Sequence, residues 1–269
     1  MTYGTITVER RGRVAILSFN RPGVLNAFDS ALIAETNATM AELGVDPDVR
    51  AIVVRGEGRA FSAGFDLKAG AATAGSRDQA GWREVLEADL AFIMQFWDCP
   101  KPTIACVHGY CIGGAFELAL ACDVTVAAEG TRFGVPEVKF GSGAVALLLP
   151  WIAGSKAARE ILLTGDDQLG AERARDLGIV NRVVPAGTEL DEALALASSM
   201  ASAATTAVRL TKLAINRSFD AMGLRAALSQ ALELDIFIES SGGPERAEFD
   251  RMRREQGLQA ALAWRDARH

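Results

Sequence analysis

The stretch from Thr103 to Ala128 limits the possible folds more than any other part of the chain. Thr103–Val107 is almost wholly apolar, His108-Gly109-Tyr110-Cys111-Ile112-Gly113 is a glycine-rich turn, a helix opens near Gly114–Ala121, and Val124–Ala128 is β-like again. A strand that is apolar on both faces must be covered on both, and parallel sheets achieve this with helical crossovers. Strand, helix and strand in this order predict an α/β fold built from parallel βαβ units. Upstream, Thr5–Glu9 and Val14–Asn20 read as strands joined by Arg10–Arg13, and Pro22-Gly23 breaks the chain. Ala31–Leu43 follows as a helix, Ala51–Val54 as a buried strand, and Trp82–Trp97 as a helix stopped by Cys99-Pro100-Lys101-Pro102. The β-turn-helix unit recurs loosely, without a strict repeat. The polar, Ala/Gly-rich run Ala69–Gly81 is expected to be a mobile loop. Beyond about Pro185 the pattern is nearly continuous helix, with apolar stripes at Leu210, Leu213, Ala214 and at Leu224, Leu228, Ala231, Leu232.

Composition removes several classes of function. Basic residues number 28 and acidic residues 34, so the net charge of −6 offers no overall basic field for nucleic acid. Ordinary hydrophobic and charged fractions, 49% and 23%, exclude a disordered chain, a coiled coil or a fibre. Cys99, Cys106, Cys111 and Cys122 contain no C-x-x-C pair and no zinc spacing, so they read as buried reduced thiols. No metal site is expected. Only His108 and His269 are available for histidine chemistry. No window approaches the ~18 apolar residues of a membrane span, and no leader pattern precedes the first strand. A soluble cytoplasmic protein is expected.

Three segments carry residues suited to chemistry. Ala60-Phe61-Ser62-Ala63-Gly64-Phe65-Asp66-Leu67-Lys68 leaves backbone uncovered, and such a turn can aim peptide N–H groups at a developing negative charge. It also hints at a G-x-S-x-G nucleophile elbow around Ser62, but Ala60 stands where the first glycine belongs. The second segment, Ile104–Glu117, lacks the G-x-G-x-x-G spacing of a dinucleotide site. The free N–H groups of a helix start uncovered by Gly113-Gly114 can instead bind an oxyanion, with Glu117 in the first turn. In the third, Pro136 fixes the backbone just before Glu137, a carboxylate among apolar neighbours and suited to acid–base work.

The run IACVHGYCIGGAFELALACDV resembles the signature of the crotonase superfamily, the enoyl-CoA hydratases and isomerases, at nearly every defined position. Arg21-Pro22-Gly23-Val24-Leu25-Asn26-Ala27 is similar to that family's early R-P-x-x-x-N-A turn, and Ala60–Lys68 to its A-F-x-A-G-x-D-x-K loop. The resemblance implies a spiral of repeated ββα units over residues 1–195 that carries the CoA-thioester site. A helical C-terminal region, 196–269, would mediate trimerisation, as a homotrimer or a hexamer. It further implies that the backbone N–H groups of Phe65 and Gly114 form an oxyanion hole and that Glu117 and Glu137 are the catalytic pair. Isomerases of the family commonly keep only the later carboxylate, so the pair favours hydration of an enoyl-CoA. Val24, Leu25, Ala63, Asp66 and Lys68 would line the coenzyme A path, with Lys68 a phosphate contact. No separate cofactor is implied, since coenzyme A is part of the substrate. Related readings are double-bond isomerisation, C–C hydrolysis or decarboxylation of an acyl-CoA, or a non-catalytic CoA- or RNA-binding relative.

The chain departs from the family pattern in three places. Gly141–Trp151 replaces a P-G-x-G-G-T-Q-R-L-like run with a more apolar one, so the family's acyl-pocket shape does not carry over to this chain. Phe65 replaces a residue that is often small. His108 stands where many relatives carry Asn, and is expected to be structural.

Overall fold

The alternation of buried strand and amphipathic helix read from the sequence is what the computed structural model shows over the residues it describes, 3–67 and 77–268. In chain order the elements are β1 (Ile6–Arg11), β2 (Val14–Phe19), α1 (Ser30–Val45), β3 (Ala51–Gly56), α2 (Gln79–Asp98), β4 (Thr103–Val107), β5 (Tyr110–Ile112), α3 (Gly114–Ala121), β6 (Val124–Ala128) and β7 (Arg132–Gly134). A 3-10 turn at Glu137–Phe140 leads to α4 (Leu149–Ile152), α5 (Gly154–Thr164), β8 (Leu169–Gly170), α6 (Ala171–Asp176) and β9 (Arg182–Val184). The chain then runs through α7 (Glu189–Ser202), α8 (Thr205–Ala221), α9 (Leu224–Ser241), α10 (Pro244–Gln256) and α11 (Leu258–Asp266).

Two sheets result. The larger has the order β1-β2-β3-β4-β6-β9, parallel throughout except for the β1–β2 hairpin. The smaller pairs β5 with β7 in parallel and β7 with β8 antiparallel. Its first strand lies within the glycine-rich turn and is too short to leave a periodic signal. The architecture is mixed α/β with a helical C-terminal region, as the resemblance implies.

Side-chain alternation along the strands divides the core. Leu17, Phe19, Val54, Ala105 and Val107 face the cluster that holds α1, α2 and α3. Val14, Ile16, Val53, Ile104 and Cys106 face Ala193, Ala197 and Ala201 on α7. These alanines, four residues apart, let α7 lie close against the sheet. Position 195, the expected division of the chain, falls inside this helix. All four cysteines are buried and free.

Two local expectations change. Helix α2 begins at Gln79 because the Asp78 carboxylate caps it, accepting from the Gly81 amide at 2.9 Å. Residues 79–81 are therefore helix and 77–78 lead into it, while 69–76 of the expected loop, together with Lys68, lie outside the described residues. The stripe Leu210, Leu213, Ala214 is exposed, because α8 turns its polar side inward. Lys212, 7% exposed, donates to Asp123 Oδ2 at 2.7 Å and to the carbonyls of Phe96 and Lys101. Asn216 donates to the Trp97 carbonyl.

Candidate active site

Two sequence-distant turns are stitched together at one end of the sheet. Asn26 sits between them, fully buried, accepting from the Arg21 amide at 2.8 Å and donating to the carbonyls of Glu57 and Ala60 at 2.8 and 2.9 Å. Leu25 and Asn26 both adopt φ 53°, a left-handed conformation that costs about 1 kcal/mol or more per non-glycine residue. The bonds around Asn26 hold it there. The Ala63 amide donates to the Leu25 carbonyl, the Phe28 amide to the Gly64 carbonyl and the Asp66 amide to the Phe28 carbonyl. Asp66 is further paired with Arg21 at 3.1 Å.

The same loop is joined to the glycine-rich turn. The Phe61 amide donates to the His108 carbonyl, the Ser62 amide to the Tyr110 carbonyl, and the Ile112 amide to the Ser62 carbonyl. Ser62 is fully buried; its Oγ donates to the Asn26 carbonyl and accepts from the Gly64 amide. It is therefore a strut between the turns and not an exposed nucleophile. The His108 ring bonds the Gly58 carbonyl at 2.9 Å through Nε2, a structural use, and is not among the residues lining the cavity.

This stitching places Phe65 beside the start of α3. The Phe65 ring lies directly over Gly114, where any Cβ would collide with it, and packs edge-on against Phe28 and Phe92. Neither the Phe65 nor the Gly114 amide donates a hydrogen bond to another described residue. Gly113, at φ 59°, precedes the helix, and a Cβ there would strike Glu137 Oε1. The missing side chain lets the Glu137 carboxyl approach the helix start.

The two glutamates meet across a cavity of about 890 Å³. Glu117 is 3% exposed and accepts one hydrogen bond, from the Ala146 amide at 3.1 Å. Burial first, then the neighbouring Glu137, pushes its pKa up to about 8. Glu137 is partly accessible as a residue, but its Oε2 is sealed and without a hydrogen-bond partner. Burial, with a smaller contribution from Asp235, raises its pKa to about 8 as well. Two carboxyls poised near neutrality, facing one cavity, can take and give protons in the pH range where proteins work.

Val24, Leu25, Ala63, Phe65, Asp66, Gly114, Glu117 and Glu137 all line this cavity. Of the site residues named from the sequence, only Lys68 lies outside the described residues. The C-terminal helices close the cavity from the other side. Phe249 of α10 stacks on Phe140 with ring centres 4.7 Å apart, and Arg253 donates to the Leu67 carbonyl at 2.6 Å. The site thus draws on both sides of residue 195. The sequence did not point to Asp89 on α2 or to Asp235 and Glu239 on α9, which also line the cavity. No motif surrounds them, and only the packing of α9 along α2 brings them to the site.

The mixed α/β fold with its helical C-terminal region is that of the crotonase superfamily. The chain belongs to the enoyl-CoA hydratase/isomerase family, whose model matches residues 9–241. It is 47% identical to the crystal structure of an enoyl-CoA hydratase/isomerase from Xanthobacter autotrophicus Py2, with a TM-score of 0.97 over 100% of this chain and 99% of that one. It is 40% identical over 230 residues to a "probable enoyl-CoA hydratase" of Mycobacterium tuberculosis, covering 82% of this chain and 84% of the relative. It is 34% identical over 249 residues to the 2,3-dehydroadipyl-CoA hydratase of Escherichia coli K12, covering 88% and 91%.

Proposed function

We propose that the protein is an enoyl-CoA hydratase, adding water across the 2,3 double bond of an enoyl-CoA thioester. The observation that carries this reading is the pair Glu117 and Glu137, both raised to about 8, beside two backbone amides that serve no other described residue. The thioester oxygen sits between the amides of Phe65 and Gly114, which stabilise the enolate as charge builds there. One such donor is worth about 10²–10³ in rate elsewhere. Ionised Glu117 takes a proton from the water attacking C3, and protonated Glu137 supplies the proton reaching C2. Each then holds the other's starting protonation state, and proton exchange with solvent resets the pair.

Coenzyme A follows the wall formed by Val24, Leu25, Ala63 and Asp66, with Lys68 as a phosphate contact, and the reaction needs no separate cofactor. The chain works as a homotrimer or a hexamer in the cytoplasm. Supporting assembly, Leu210 and Leu213 on α8 and Leu234 and Phe237 on α9 present large apolar side chains to solvent, the last two at 67% and 63% exposure. Among the described residues no single helix is long and apolar enough to cross a membrane.

The test is loss of the conjugated thioester absorbance of crotonyl-CoA and longer enoyl-CoAs. Turnover that disappears in both Glu117→Gln and Glu137→Gln is expected. Binding of CoA thioesters without turnover at any chain length would overturn hydration and leave another crotonase-type reaction.

A further inference from the structure

Beyond the two glutamates the cavity carries a second pair of carboxyls that the hydration chemistry does not use. Asp235 on α9 is 3% exposed, lines the cavity, and has no hydrogen-bond partner for either carboxyl oxygen; it packs against Gly143, where any Cβ would collide with Oδ1. Asp89 on α2 lines the same wall, partly accessible, and makes no hydrogen bond or ion pair with any described residue. A buried polar group without a partner costs about 1–3 kcal/mol, more if charged, so an orphan of this kind is retained where a ligand completes it. The cations close by are committed elsewhere. Arg246 donates to Glu239 at 2.6 Å and to Asp250 at 3.2 Å, and Arg77 lies over the Trp82 ring at 5.2 Å; each is felt by an acid of the wall, Arg246 by Asp235 and Arg77 by Asp89, without a hydrogen bond to it.

The location identifies which part of a thioester this wall meets. The segment 143–146 runs from Gly143, against Asp235, to Ala146, whose amide bonds Glu117. Asp235 and Asp89 both act electrostatically on Glu117, and Asp235 on Glu137 as well, so this wall adjoins the glutamate pair. We propose that this wall receives the acyl end of the substrate and that the acyl chain bears a hydroxyl group, hydrogen-bonded by Asp89 and Asp235. The proposal rests on the hydratase reading of the same cavity.

The chemistry of the wall selects among acyl chains. Burial raises both acids to about 7; Arg77 opposes the rise at Asp89 and Asp235 adds to it, while Glu239 adds to it at Asp235 and Arg246 opposes it, so near neutrality these acids keep a proton that can be donated. A hydroxyl both donates and accepts, and matches such a pair. A plain hydrocarbon end leaves both carboxyls unpartnered. A carboxylate end, as in 2,3-dehydroadipyl-CoA, meets like charge and is disfavoured.

The test compares trans-2-hexenoyl-CoA with its 4-, 5- and 6-hydroxy derivatives, and with 2,3-dehydroadipyl-CoA. Expected is at least a tenfold higher kcat/KM for one hydroxy derivative than for the hydrocarbon, with the dicarboxylate poorest. Asp89→Leu and Asp235→Leu should erase that preference and improve use of the hydrocarbon, and the isosteric Asp89→Asn and Asp235→Asn guard against loss of folding. A hydrocarbon used as well as every hydroxy derivative, with the ratio unmoved in the variants, overturns the proposal. If no enoyl-CoA turns over, the hydratase reading fails by itself. Calorimetric binding of hexanoyl-CoA against its hydroxy derivatives then decides the acyl preference, equal affinities refuting it.

Discussion

Replacing Glu117 by glutamine should make the protein more stable while removing its activity. Burial and the nearby Glu137 raise the Glu117 pKa from 4.5 to about 8. Between those values the native state holds a proton that the unfolded chain releases. The native state therefore binds more protons than the unfolded one, and stability falls as pH rises, by about 1.4 kcal/mol per pH unit. Below pH 4.5 both states are protonated and nothing is lost. By pH 7 the accumulated loss from this one carboxyl is about 3 kcal/mol. Glutamine carries no ionisable proton, and its amide oxygen can still accept from the Ala146 amide, the bond now made at 3.1 Å. Urea denaturation at pH 4.5, 6, 7 and 8 is the assay. Wild type and Glu117→Gln should agree at the lowest pH and diverge progressively, the variant gaining up to about 3 kcal/mol at pH 7. Parallel curves at all four values would refute the raised ionisation of Glu117 and with it the account of its burial.

The struts of the site give further expectations. Asn26→Ala removes the donor to the Glu57 and Ala60 carbonyls and a residue suited to left-handed backbone, so a loss of about 3 kcal/mol in chemical denaturation is expected. Ser62→Ala should lose about 1–2 kcal/mol of stability yet keep kcat within a few-fold of wild type, since its hydroxyl only ties Asn26 to Gly64; a collapse of kcat would restore the nucleophile reading. Lys212→Met leaves Asp123 without its cation and should cost about 3 kcal/mol, partly recovered by the double variant with Asp123→Asn.

The legible parts of the fold were those where burial is continuous. Thr103–Val107, Gly114–Ala121 and Val124–Ala128 hold the expected bounds, because a strand sealed on both faces and a helix buried all round leave no other arrangement. Glu117 and Glu137 were readable through the glycine and proline beside each. Shorter elements such as β5 and β8 are set by pairing with distant strands and carry no period of their own. The stripe at Leu210 and Leu213 has helical spacing, but periodicity cannot say which stripe meets the chain's own core; Lys212, reaching Asp123, turned out to decide it. Asp89 and Asp235 carry no sequence signal for the same reason. A lone aspartate in an amphipathic helix looks like surface until the partner helix is in place.

Addition of water to an enoyl thioester by Glu117 and Glu137 can be followed by turnover of crotonyl-CoA in water enriched in oxygen-18, with mass spectrometry of the product. The expected product is a 3-hydroxyacyl-CoA carrying the heavy oxygen at C3, formed by wild type and absent with Glu117→Gln or Glu137→Gln. An isomerised, unhydrated product, or label incorporation that survives loss of both carboxyls, would contradict it.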